Sequence, residues 1–338
     1  TTALIFWLTP KIKLHYIFSG IFFGLAYWSK TPAMFLIPFP LISVILFDRK
    51  TKTLIKSLIS ILISGGIIYL MKASVFFHKL FARSQDFTFT LDQISNGETD
   101  HILANTKDFF SWFISYNFYP YIILVLAGIF LAIKNKDKKI LNLTLASFIF
   151  ISPFILLGRV VSPRYYLPAI FLLTFIASFA ISSLKNTKHQ VVILIICLIY
   201  PFIQNFNLLN NYYNFNFPKR DEIQYLKEWS SGIGIKETMN FFTQEATNKK
   251  IKVLTEGFFG TTPDGLFIYY ADLPQKVGKN IEIIAVGNPS TDYMYQEIAK
   301  ADNRTLYYVG NSHRIDLAYI DKYNLELLEE FPKKDDFS

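Results

Sequence analysis

Between Leu14 and Ile203 the hydrophobic positions gather into seven runs. Three are long and carry no charge: Phe109–Ile133 (25 residues), Ile140–Leu157 (18) and Tyr166–Leu184 (19). A bilayer hydrocarbon core about 30 Å thick takes about 20 helical residues, so each of these predicts a membrane span. Four runs are shorter: Leu14–Trp28 (15), Met34–Phe47 (14), Ser57–Met71 (15) and Val191–Ile203 (13). Length alone fits these to a crossing or to a buried helix. After Gln204 the pattern changes. Asn205–Pro218 reads as a polar linker rich in Asn, Tyr and Phe. Beyond it, Gly234–Asn248 places Ile235, Met239, Phe242 and Ala246 at helical spacing. Lys250–Thr255, Ile281–Val286, Thr305–Val309 and Tyr323–Phe331 read as strands, and Leu266–Ala271 and Thr291–Ala301 as helices. That alternation predicts an α/β domain with a mainly parallel sheet. The fold expected is therefore a polytopic α-helical membrane domain of about seven spans, residues 1–204, followed by a soluble α/β domain, residues 205–338. Lys333–Ser338 reads as a frayed end.

Charge placement sharpens the picture. Through Gln204 the chain holds 19 Lys and Arg against 7 Asp and Glu; from Asn205 onward it holds 15 against 19. The basic half is the apolar half, as in a membrane region with cytoplasmic lysines, and this argues against nucleic acid as a partner. If all seven runs cross, the clusters Lys11/Lys13, Arg49–Lys56, Lys134–Lys139 and Lys185/Lys188 fall on one side, which the positive-inside rule makes the cytoplasm. Ser29–Pro32, the loop Lys72–Asp108, the short loop Gly158–Arg164 and the α/β domain then lie outside it. Trp112, Tyr116, Tyr119 and Tyr121 fit an outer aromatic belt. Gly20 and Gly24 read as a close helix contact.

Composition adds limits. The 338 residues are 51% hydrophobic and 18% charged, with a mean hydropathy of +0.29, which excludes a disordered chain or a single soluble domain. Cys197 is the single cysteine, so neither an intrachain disulfide nor a cysteine-based metal site can form. The first residue is Thr1 and an apolar stretch is already under way at Ala3–Leu8, so the expectation is that the chain begins inside a longer protein.

Two polar segments interrupt the apolar region where chemistry is plausible. In Gly158-Arg-Val-Val-Ser-Pro-Arg-Tyr-Tyr-Leu-Pro168, Arg159 and Arg164 sit in a short loop between two strong runs. A guanidinium at a membrane surface can hold a phosphate with its fork of donors, or can simply reach to lipid headgroups. In Gly24-Leu-Ala-Tyr-Trp-Ser-Lys-Thr-Pro32, Lys30 lies between two short runs, either lining a polar site or exposed on a connecting loop.

Gly-Leu-Ala-x2-Ser-Lys-x-Pro ahead of an apolar run, with Arg-Tyr-Tyr-Leu-Pro opening a later one, resembles membrane glycosyltransferases of the GT-C superfamily. The nearest branches are the protein O-mannosyltransferases and the aminoarabinose transferases of lipid A. Glu228-Trp-Ser-Ser-Gly-x-Gly234 and Thr255-Glu-Gly-Phe-Phe-Gly260 resemble the soluble tails of such proteins. The likeness is loose and covers the whole chain. It implies transfer of a sugar from a polyprenyl-phosphate donor to an extracytoplasmic protein, lipid or glycan acceptor, in a multi-pass protein of the cell membrane. It also implies Lys30, Arg159 and Arg164, with Tyr165 in support, as contacts to the donor phosphate. Cations there would stabilise the charge that develops as the sugar leaves. The family's catalytic acid belongs to its first outer loop, which would lie upstream of Thr1, so the catalytic residue is unknown.

Other constellations are weaker. The loop Lys72–Asp108 carries Arg83, Asp86, Asp92, Glu98, Asp100 and His101, which read as a solvated, partly mobile loop, or as a cover over the site, or as ligands for a divalent cation. Glu256–Gly265 follows a strand and precedes a helix, where a parallel sheet binds sugars or phosphates, but its glycines lack P-loop or dinucleotide spacing and equally fit a turn. Gly232 and Gly234 read as a loop-to-helix start. His15, His78, His189 and His313 have no partners at useful spacing. The alternative to a transferase is a non-enzymatic membrane protein whose outer α/β domain binds a ligand or partner. A transporter fits less well, since no repeat or intramembrane charge is visible.

Overall fold

A computed structural model describes all residues except 10, 11, 76, 78–83, 288–291, 316 and 334–338. Lys11, His78, Arg83 and most of the expected frayed end therefore lie outside the described residues. Lys333, the first residue of that end, is buried. The chain is mostly helical and divides into two compact units, Thr1–Phe206 and Asn207–Ser338.

In the first unit four helices are long and apolar enough to cross a membrane: Thr51–Ala73, Asp100–Asn135, Lys138–Leu157 and Thr187–Asn210. Run length in the sequence ranks them differently. The 19-residue run from Tyr166 yields only the helix Leu167–Ser182, because Pro163 and Pro168 hold the start to a separate 3-10 turn, Pro163–Tyr165. The short runs around Ser60 and Leu198 give full-length helices, since polar residues continue the helix past each run. Met34–Phe47 is broken into a 3-10 segment, Thr31–Leu36, and a helix, Phe39–Phe47, and Leu14–Trp28 forms His15–Ser29.

The 25-residue run is not one straight rod. Phe118 interrupts the Asp100–Asn135 helix with φ 64° and ψ 158°, two residues before Pro120, which lacks the N–H that a continuous helix would use. At the other end Lys136 adopts a left-handed conformation (φ 53°), and the Asp137 carboxylate accepts the N–H groups of Lys139 and Ile140. Asn-Lys-Asp-Lys is thus a C-cap joined to an N-cap, turning the chain sharply into Lys138–Leu157.

Glycines set the closest helix approaches. A Cβ on Gly20 would lie 2.5 Å from the Ser60 carbonyl oxygen, and Ser64 donates to the Gly20 carbonyl at 2.9 Å. A Cβ on Gly128 would lie 2.3 Å from the Ile176 carbonyl oxygen. The expected aromatic belt does not form. Trp112 is 3% exposed within the core of Phe109, Phe113, Phe150 and Tyr166. Tyr121 turns its hydroxyl to the Ile170 carbonyl at 3.0 Å, and of the four only Tyr119 is well exposed. Helical phase, rather than depth in a bilayer, decides where these rings point.

In the second unit three parallel strands, β1 (Ile251–Glu256), β2 (Ile281–Gly287) and β3 (Thr305–Val309), lie in the order β2-β1-β3. All six residues of β1 are buried. Period-2 alternation gives it two different faces. Ile251 and Val253 pack with Met239, Phe242 and Leu266 from the helices Ile235–Glu245 and Thr261–Ala271. Leu254 packs with Val286 and with Met294 of the helix Asp292–Ala299. Lys252 shares that second face and is 1% exposed, held by Glu297.

Two expectations fail here. Asn205–Asn210 is not linker but the last turns of Thr187–Asn210. Tyr323–Phe331 forms no strand: Asn324, at φ 49°, closes the helix Leu317–Lys322, and the alternating apolar residues beyond it are not buried, Leu327 being 78% exposed.

Candidate functional site

Lys30 leaves the helix His15–Ser29 in an extended conformation, with the Pro32-containing 3-10 segment directly after it. Tyr165 ends the 3-10 turn that Pro163 opens, and its ring stacks on Phe154 at 5.6 Å, nearly parallel. Phe35 supports Phe154 edge-on at 5.7 Å. On this platform the two cations converge: the Lys30 ammonium lies 5.3 Å from the Tyr165 ring centre and the Arg164 guanidinium 5.4 Å. Ring faces attract cations, at about 0.5–1 kcal/mol each when exposed. Both cations are exposed and no ion pair holds either among the described residues. Two like charges on one ring, with donors turned to solvent, make a setting for an anion.

Arg159 rests elsewhere, its guanidinium 4.6 Å from the Phe89 ring. Phe89 in turn stacks on His101 at 3.9 Å. The backbone explains why these residues meet. Phe89 donates to the Leu157 carbonyl (2.8 Å), Arg159 donates to the Phe87 carbonyl (2.9 Å), and Thr88 bridges Gly158. Asn105 is 5% exposed and donates to the carbonyls of Ile155 (3.2 Å) and Gly158 (2.7 Å), capping the end of Lys138–Leu157. The His101 Nε2–H donates to the Leu156 carbonyl at 2.9 Å, since a carbonyl only accepts.

The segment read as a solvated loop from Lys72 to Asp108 is therefore ordered and docked in its described second half. Thr90 and Gln93 form a capping box at Leu91–Ser95, and Asp100–Asp108 are already helical. Its carboxylates do not assemble into a cation site: among the described residues no three His, Cys, Asp or Glu side chains gather closely enough to hold a metal. Sequence reasoning missed Phe89 and Asn105 and offered His101 only as a candidate cation ligand. The available signal was the i,i+4 spacing of His101 and Asn105, which puts both on one face at the start of a helix.

At the carboxyl end of the sheet the two tail motifs meet. Thr261 donates to the Ser230 carbonyl at 3.0 Å, and a Cβ on Gly260 would strike the Trp229 ring at 2.7 Å. The Glu256 carboxylate is buried; it accepts the Asn311 N–H (2.6 Å) and the Arg314 guanidinium (2.6 Å), which lies 5.3 Å over Trp229. Lys333 donates to the Asn311 side-chain oxygen and to the Glu228 carbonyl. Burial pushes the Lys333 ammonium below the usual lysine range, against the pull of Glu256. The Gly260 N–H at the start of Thr261–Ala271 is taken by Asp264 of the same helix (2.9 Å). Gly257 and Gly260, at φ 76° and 103°, serve the backbone of this turn. The cluster is thus largely self-satisfied, whereas the Lys30–Tyr165–Arg164 platform faces outward. No protein-family model matches the chain, and neither a curated protein nor a solved structure matches it.

Proposed function

We propose that the chain is an integral-membrane glycosyltransferase that takes a sugar from a polyprenyl-phosphate donor and passes it to an acceptor outside the cytoplasm. Lys30 and Arg164 hold the donor phosphate on the Tyr165 platform, and Arg159 extends the basic surface. The observation that carries this reading is the convergence of two exposed cations on one ring, from segments 134 residues apart in the chain, beside His15–Ser29 and Leu167–Ser182, which hold no Asp, Glu, Lys or Arg. The resemblance of the Lys30 and Arg164 segments to GT-C enzymes supports it, as does the presence of four helices of membrane length. In this reading seven segments cross the membrane, the shorter apolar helices completing the count, and the lysine clusters Lys50–Lys56 and Lys134–Lys139 face the cytoplasm. As the sugar departs, negative charge grows on the phosphate, and an ammonium and a guanidinium beside it lower the barrier.

The test is binding of farnesyl phosphate, against farnesol, to the full chain in lipid nanodiscs. A charge-assisted hydrogen bond is worth about 1.5–3 kcal/mol. Arg164→Ala and Lys30→Ala should each weaken farnesyl phosphate binding by about tenfold to a hundredfold, leaving farnesol unaffected, and Arg164→Lys should restore part of it. Equal affinity for the phosphate and the alcohol, or no effect of either substitution, would refute the assignment.

A further inference from the structure

The second unit carries an open groove of about 800 Å³ that no part of the transferase reading uses. Four aromatic rings line it beside the apolar side chains of Leu208, Leu226, Ile233 and Phe331. Tyr212 and Tyr213 lie 4.5 Å apart on the 3-10 turn Tyr212–Asn214, and Phe217 and Tyr225 lie 5.9 Å apart on the next segment. The tyrosines are between 38% and 44% exposed, although each has a large flat face that would gain from being covered. Lys236 and Glu237, in the first turn of the helix Ile235–Glu245, line the same groove. Among the described residues neither takes an ion-pair partner. The rim is fixed, since Gly234 sits at φ 86° and a Cβ there would lie 2.8 Å from Phe331.

From this juxtaposition of flat rings with an unpaired ammonium, an unpaired carboxylate and tyrosine hydroxyls, we infer that the groove is a carbohydrate-binding site for a short pyranose oligosaccharide. A pyranose is amphipathic in the same way. Its axial C–H face is apolar and suits a ring, while its rim of hydroxyls both donates and accepts. Tyr212, Tyr213 and Tyr225 offer ring faces, at little entropic cost because each has two rotatable bonds, and the hydroxyls of Tyr212 and Tyr213, bonded to each other, keep further acceptor capacity for a sugar. Lys236 supplies donors and Glu237 acceptors for the hydroxyl rim. The volume lies within the range of ordinary ligand clefts and exceeds what a single ring needs. An isoprenoid chain would match Leu208, Leu226 and Ile233, but hydrocarbon laid over Lys236 and Glu237 would strip water from two charges and return no hydrogen bond. The inference is independent of sugar transfer by the membrane unit, because it concerns binding alone and a different set of residues.

The experiment is an array of pyranose oligosaccharides probed with the full chain in nanodiscs, followed by saturation-transfer NMR on the strongest glycan and on farnesyl phosphate. Expected is glycan binding with transfer strongest at ring C–H protons. Tyr212→Ala and Tyr225→Ala should each cut that transfer by about tenfold, the loss of one stacked ring, and Glu237→Gln should weaken it less. Tyr225→Phe keeps the ring and should retain most of the signal, which separates lost stacking from lost folding. Binding to no glycan on the array overturns the inference. So does transfer that survives both alanine substitutions, or transfer to farnesyl phosphate alone that those substitutions abolish. Loss of farnesyl phosphate binding on Arg164→Ala with glycan binding intact would leave this groove standing and concern the membrane unit only.

Discussion

Glu297→Gln tests the interior of the α/β unit through its most costly contact. Lys252 is 1% exposed in the central strand, with Nζ 2.9 Å from the Glu297 carbonyl oxygen and 2.8 Å from its carboxylate. The substitution keeps the shape and the backbone carbonyl and removes only the countercharge. Breaking a buried pair on one side costs about 3–5 kcal/mol, because the remaining charge is stranded. A penalty of about 3–5 kcal/mol lowers protection against amide exchange by about two to nearly four orders of magnitude. Exchange mass spectrometry on the full chain should show this in peptides covering 251–256. Adding Lys252→Met should recover most of the loss, because an apolar side chain of similar length needs no countercharge. Protection within about threefold of the parent in Glu297→Gln, or a double variant worse than the single, would refute the reasoning.

Acid should loosen the same unit. Hydrogen bonds from Lys252 and Lys300 hold the Glu297 carboxyl below its ordinary value of 4.5, and Lys249 and Tyr307 do the same for Glu245. Their stabilisation is complete above pH 4.5 and is lost as pH falls through the lower folded values, so exchange in β1 should accelerate below pH 4.5, and less steeply in Glu297→Gln. In the membrane unit, Asn105→Ala leaves the Gly158 carbonyl, now bonded at 2.7 Å, without its donor. About 1–3 kcal/mol of local stability should go with it, seen as faster tryptic cleavage after Arg159; unchanged cleavage would separate Asn105 from the order of that loop.

How far the sequence carried depended on the range of the interaction involved. Strands β1 to β3 and the helix Ile235–Glu245 were readable because period and burial coincide there. Tyr323–Phe331 alternates equally well, but its apolar residues find no neighbouring strand, and alternation alone does not reveal pairing. Phe118 shows the same limit: Pro120 marks a break, yet nothing local specifies the φ of a phenylalanine two residues earlier. At the candidate site, Lys30 and Arg164 stood out as cations at the ends of apolar runs, Tyr165 came from the family resemblance alone, and the structure brings these three together. Arg159 was grouped with them by proximity in sequence, but its neighbours are Phe89 and His101, supplied by a segment whose docking runs through backbone hydrogen bonds that leave no mark on residue type.

The break at Phe118 has a mechanical side. Thr187–Asn210 has no buried residue along its length, yet Tyr200 donates to the Ser115 carbonyl at 2.8 Å and stacks on Phe118 at 4.5 Å. The interrupted helix thus exposes an acceptor and a ring at one level, and the neighbouring helix is fastened there through Tyr200. A helix packed along a groove inherits its inclination from the groove. With no residue buried along its length, this helix takes little of its inclination from such a groove. This helix is also the covalent route into the Asn207–Ser338 unit. The contact at Tyr200 therefore anchors the same helix that carries the chain from one unit into the next.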